Sequence, residues 1–120
     1  LALFYLDKFD EAVEKFQKAI EINSTFALAY ANTGLVYLNK GEYEKAEHFF
    51  LQALERDPEN PETHYNIAVT YYRLNKKTDA MKHYEAFLSF SGDDYGKLKE
   101  SVQKIIDQIK SIQKEENSQV

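Results

Sequence analysis

Cysteine and tryptophan are absent from these 120 residues, and proline and glycine number only 2 and 4. Without cysteine there is no disulfide framework, no thiolate metal site and no thiol nucleophile. So few turn formers argue against an all-β chain, which needs a turn signal every 8–12 residues or so. No run approaches the roughly 18 uninterrupted apolar residues of a membrane span, and no membrane partner is expected. Positive charge is in deficit, with 15 Lys and Arg against 20 Asp and Glu for a net −5. That is the wrong sign for nucleic acid or anionic lipid. The chain opens on Leu1 with no secretory leader, so a cytoplasmic location is expected, with the native start lying before Leu1.

What is abundant is aromatic: 9 Tyr and 8 Phe. Their placement is periodic. Tyr30, Gly34 and Tyr37 recur as His64, Ala68 and Tyr71, and Ala46, Phe50 and Leu54 as Ala80, Tyr84 and Leu88, each pair 34 apart. The same offset backwards places Leu3, Phe9, Ala12, Phe16, Ala19 and Ile20 under Tyr37, Tyr43, Ala46, Phe50, Ala53 and Leu54. A fixed period of this length marks a repeat architecture. The units are a truncated 1–26, holding the end of one helix and a second helix, then complete helix pairs at 27–60 and 61–94. Within a unit the spacing is helical: Ala46, Phe50, Ala53 and Leu54 read i, i+4, i+7, i+8. Gly41 ends one helix, Asp57-Pro58 and Asn60-Pro61 separate units, and Asn23-Ser24-Thr25 offers N-caps at the earlier junction. Small residues at 12, 34, 46, 68 and 80 let backbones approach while aromatics fill the space beside them.

The middle unit runs Ala27-Leu28-Ala29-Tyr30-Ala31-Asn32-Thr33-Gly34-Leu35-Val36-Tyr37, then Gly41-Glu42-Tyr43, Ala46, Phe50, Ala53-Leu54 and Pro58. It resembles the tetratricopeptide repeat (TPR), departing mainly at Thr33, where the family has Leu. The third unit departs further, with Asn75 for the turn glycine, Lys77 for an aromatic, Phe87 for a small residue and Gly92 for the closing proline. A large Phe87 makes sense if the next element is not another repeat and leaves a wider gap. The resemblance implies an all-α TPR α-solenoid of antiparallel helix pairs. From about Asp94 the period ends, and Leu98, Val102, Ile105, Ile109 and Ile112 mark one long amphipathic helix over 95–116 before a frayed tail at 117–120. It is expected to cap the third unit. At about 31 Å against about 21 Å for a repeat helix, it should overhang, leaving Ile109 and Ile112 as an oligomer contact. Leu1, Leu3 and Phe4 are a second such candidate, at the truncated end.

Chemistry is scarce. His48, His64 and His83 do not pair at helical spacing, so packed or surface histidines are expected and no metal or cofactor. Gly92 to Lys97 is too short and too acidic for a phosphate loop and comes after a helix. No nucleophile, base and orienter assemble, so the chain is not expected to be an enzyme.

The resemblance implies a concave groove lined by the first helices: Tyr5, then Leu28, Asn32, Leu35, Leu38 and Asn39, then Tyr65, Asn66, Val69, Tyr72 and Arg73. A basic clamp for chaperone carboxyl termini, known in the family, meets Glu62 and Asn66 at its matching positions and is not formed. Asn32 and Asn66 instead resemble two rungs of the asparagine ladder of the O-GlcNAc transferase repeats, where amides hold a peptide backbone; an amide both donates and accepts. A helix-to-helix hydrogen bond inside the solenoid is the competing role for them. Residues 1–94 carry 10 basic and 16 acidic side chains. The expectation is a scaffold binding a protein or peptide, apolar or cationic, in this groove. Self-assembly through the solenoid ends and last helix, or service as the targeting module of a larger enzyme, are the alternatives.

Overall fold

The computed structural model describes residues 2–118, with the side chains of 2–10, 12, 13, 16 and 20 outside the described set. Five helices are arranged in order: α1 (Ala2–Asn39), α2 (Tyr43–Arg56), α3 (Pro61–Arg73), α4 (Lys77–Phe90) and α5 (Gly96–Ser118). Consecutive helices pack on one another, α1 on α2, α2 on α3, α3 on α4 and α4 on α5, which is the stacking of an all-α solenoid. The molecule measures 75 × 29 × 29 Å with a radius of gyration of 19.3 Å, against about 13–14 Å for a compact chain of this length.

The turns form as the residues dictate. Gly41 takes φ 77°, and Glu42 N–H closes back on the Tyr37 carbonyl at 2.9 Å. One repeat later Asn75 takes φ 61°, with Lys76 N–H on the Tyr71 carbonyl at 2.8 Å. Asparagine replaces glycine there because it is the other residue that tolerates the left-handed region at a helix end. Pro61 opens α3, whose Asn60 cap accepts from Thr63 N–H at 3.1 Å.

The truncated unit differs from expectation. α1 runs unbroken from Ala2 through Asn39, so neither a break before residue 9 nor the caps at Asn23-Ser24-Thr25 form. The reason lies in what stands at the repeat's punctuation points. Asp7 occupies the position of Gly41, and Ser24 and Ala27 those of Pro58 and Pro61. With no left-handed residue and no proline, helical hydrogen bonding continues, and the Thr25 hydroxyl donates back to the Glu21 carbonyl at 2.9 Å from inside the helix. The side chains of Leu1, Leu3, Phe4 and Tyr5 lie outside the described residues.

One core joins Ala46 and Phe50 of α2, Ile67, Ala68 and Tyr71 of α3, Ala80, Tyr84 and Phe87 of α4, and Val102 and Ile106 of α5. At Gly34 a Cβ would stand 2.8 Å from the fully buried Phe50 ring, so the glycine is what lets α1 meet α2. The Phe87 ring meets Tyr65 at 5.6 Å and Tyr95 at 5.5 Å, filling the wider gap before α5.

α5 caps the stack as expected, but the overhang is placed differently. Val102, Ile106 and Ile109 are buried and Leu98, Ile105 and Ile112 half-buried. Gln113 Nε2 donates to Thr78 Oγ1 at 2.9 Å, and Lys110 lies 3.9 Å from Glu85, so α5 runs along α4 back to its first turn. Ile109 therefore lies in the packed stretch, not beyond it, and is no oligomer contact; only the polar run 114–118 extends past. The helix is long because the Ser91–Tyr95 turn, with Gly92 and Tyr95 at positive φ, starts it alongside the end of α4.

His64 and His83, 19 residues apart, meet at 3.0 Å through their Nδ1 atoms. His64 Nε2 stands 2.7 Å from the Pro58 carbonyl, which only accepts, so Nε2 carries the proton. Nδ1 of His64 is then an acceptor, and His83 Nδ1–H donates to it. Burial foremost, and then His64, hold His83 below the usual imidazole value of 6.5; Lys82 adds to this and Asp79 opposes it. Because the folded value is the lower, the unfolded chain takes up the proton first as pH falls. The contribution is complete above the unfolded pKa and is lost as pH drops from there toward the folded one. Between about pH 7.5 and 5.5 the melting temperature is expected to fall further for the wild-type chain than for His83→Gln. Equal falls would remove His83 as the cause.

Candidate functional site

Each first helix of a pair has one face on its neighbours and one toward solvent at 3–4 spacing, and on α1 and α3 these outward faces adjoin. Leu28, Ala31, Asn32 and Leu35 of α1 line a cleft of about 110 Å³ with Asp57, Asn60, Glu62, Thr63 and Asn66 across it. Further along the same side, Leu38 and Asn39 at the end of α1, Lys40 of the turn, Tyr43 of α2 and Val69 and Arg73 of α3 line a second, more open one. The structure thus brings Leu28, Asn32, Leu35 and Asn66 together, and Leu38, Asn39, Val69 and Arg73 together.

Two expected residues sit elsewhere. Tyr65 turns its ring onto Tyr84 at 6.1 Å and Phe87 at 5.6 Å, packing α3 against α4. A periodicity reading places Tyr65 on the outer face because it borders both stripes, and a ring long enough to reach inward takes the drier option. Tyr72 is 41% exposed but lines neither cleft.

The amides are differently committed. Asn60 is used up, accepting from Thr63 N–H at 3.1 Å and donating to Asp57 Oδ2 at 3.3 Å. Among the described residues, the side-chain amides of Asn32 and Asn66 form no hydrogen bond within the chain, so the helix-to-helix bond is not made. Leu28 and Leu35 are exposed beside them. Charge divides along the groove: Asp57 and Glu62 stand at one end with no basic residue in that lining, Lys40 and Arg73 at the other with no acidic one.

One participant escapes sequence reading. Tyr95 donates its O–H to Glu62 Oε1 at 2.6 Å, a bond that raises the phenol pKa and ties the turn before α5 to the groove wall. The two residues are 33 apart, and no local signal joins them. Among the described residues no three His, Asp or Glu side chains converge as a metal site, and no helix is long and apolar enough to cross a membrane.

A TPR repeat family model matches residues 1–41 and again 34–75, and a tetratricopeptide repeat model matches 61–94. Human tetratricopeptide repeat protein 6 is 37% identical over 65 residues, covering 54% of this chain and 12% of that protein. The bovine BBSome complex member BBS4 is 30% identical over 91 residues, covering 76% of this chain and 17% of that protein. The chain thus spans under a fifth of the length of these relatives. A solved structure described as the first TPR of Spaghetti (RPAP3) bound to the HSP90 peptide SRMEEVD aligns with TM-score 0.44 at 20% identity, covering 74% of this chain and 94% of that one. With a repeat of 34 residues, helix pairs stacked in register and family matches that together run from residue 1 to 94, this chain belongs to the tetratricopeptide repeat family.

Proposed function

We propose that this chain, a protein–protein interaction module, holds an extended peptide segment of a partner protein along the α1–α3 groove and performs no catalysis. The observation that carries the reading is the pair of uncommitted amides, Asn32 and Asn66, facing one cleft between exposed leucines. An amide donates to a peptide carbonyl and accepts from a peptide N–H without regard to side chains. Leu28, Leu35 and Val69 supply apolar contact, and the charge division supplies direction. A basic group of the ligand lies by Asp57 and Glu62, and an acidic group or carboxyl terminus by Lys40 and Arg73.

The test is to pan a random-peptide display library on the chain and measure binding of the enriched peptide. Asn32→Ala/Asn66→Ala is expected to cost about 1 kcal/mol or more per lost buried hydrogen bond, roughly a 30-fold rise in Kd for the pair. Unchanged affinity removes the ladder, and a library that yields no binder removes the groove.

A further inference from the structure

Tyr95 stands where the backbone disfavours it. Its φ is 66°, in the left-handed region that glycine and asparagine tolerate and a bulky side chain does not. The turns at Gly41 and Asn75 use those tolerant residues, whereas this one uses tyrosine. Strain of this kind is kept for what the side chain does. The ring lies edge-on to Phe87 with centroids 5.5 Å apart, a contact that phenylalanine would serve as well. The hydroxyl is what phenylalanine lacks, and it donates to Glu62 Oε1 at 2.6 Å.

Glu62 depends on that bond to keep one position. It lies in the first turn of α3 and lines the cleft with Asn32 and Asn66. Among the described residues no lysine or arginine pairs with it, the ion pairs being Glu42–Lys45, Glu47–Lys76 and Glu85–Lys110. A glutamate in a first turn is otherwise drawn to the unsatisfied N–H groups and positive end of its own helix. The phenol holds it against that pull and, being a neutral donor, cancels none of its charge. A carboxylate has lone pairs for about four hydrogen bonds, so Glu62 can accept from Tyr95 and from a ligand together.

We propose that Tyr95 is a positioning residue that sets the specificity of the groove. Its hydroxyl fixes the Glu62 carboxylate at the acidic end of the cleft, and the fixed carboxylate selects partner peptides with an arginine or lysine there. The inference rests on the peptide-binding reading given above and deepens it. Tyr95 bears the ordering of a long, flexible side chain before the ligand arrives, so less of the contact is lost to that ordering on binding. The turn that leads into the capping helix thereby takes part in recognition, although it lines neither cleft.

The test pans one random-peptide library in parallel on the wild-type chain and on Tyr95→Phe, which keeps the ring on Phe87. The wild-type pool is expected to favour arginine or lysine at one position, and the Tyr95→Phe pool to show that preference weakened. For a synthetic peptide from the wild-type pool, Tyr95→Phe should raise Kd about 3- to 10-fold, the cost of ordering one flexible side chain on binding. With the peptide's basic residue replaced by citrulline or norleucine, the two proteins should bind it equally. In a Glu62→Gln background Tyr95→Phe should add no further loss. An unchanged Kd for the basic peptide, an equal loss for its neutral form, a further loss in the Glu62→Gln background, or a wild-type pool without a basic preference would each overturn the role of Tyr95 while leaving the groove in place. A library that yields no binder removes the groove and this role with it.

Discussion

Phe87→Ala is expected to lower the unfolding free energy by about 3–5 kcal/mol, a large part of what a domain of this size has. The ring is fully buried and touches Tyr65 of α3 and Tyr95 of the turn into α5, so its removal opens a cavity where three elements meet. The family pattern has a small residue at this place because another repeat packs there; here a single helix comes next, and the larger ring fills the gap. Urea unfolding gives the loss directly. Amide exchange of 102–109 shows where it falls, with α5 expected to open before α3 and α4. A loss below about 1 kcal/mol would mean that Phe87 is not what joins the cap to the repeats.

Ile109→Asp is expected to cost about 4 kcal/mol or more. It forfeits the burial of a large apolar side chain that is 1% exposed and puts a carboxylate among apolar neighbours. Ile112→Asp, one turn on and half-buried, should cost far less. Urea unfolding of the two variants separates this arrangement from an overhanging last helix, for which both would be mild and both would change the solution mass. A mass change without destabilisation in Ile109→Asp would restore the overhang.

The order and type of the elements were legible because solenoid packing is local. Each helix buries its face against its neighbours in sequence, so the spacing of Ala46, Phe50 and Ala53, or of His64, Ala68 and Tyr71, already states the contact. Several features were illegible for the opposite reason. Ile106 lies beside Ile105, and periodicity alone cannot choose which of two adjacent apolar residues faces inward; α4 chooses. The His64–His83 bond and the Tyr95–Glu62 bond join residues 19 and 33 apart with no helical spacing to announce them. Tyr65 borders two faces, and only the position of Phe87 decides between them.

The 34-residue period, the helix pairs, the turns at Gly41 and Asn75 and the burial of the small-and-aromatic pattern were thus determined by sequence alone, because backbone propensity and nearest-neighbour packing suffice to produce them. The tertiary structure decided the rest. It extended α1 through the first junction, where the absence of proline outweighed the presence of cap residues. It laid α5 back along α4 so that Ile109 is core. It also left one face of α1 open while the equivalent face of α3 is closed. The first outcome weighs one local signal against another; the other two depend on which helix lies across from a residue, and a one-dimensional pattern shows which face is apolar but not what will cover it.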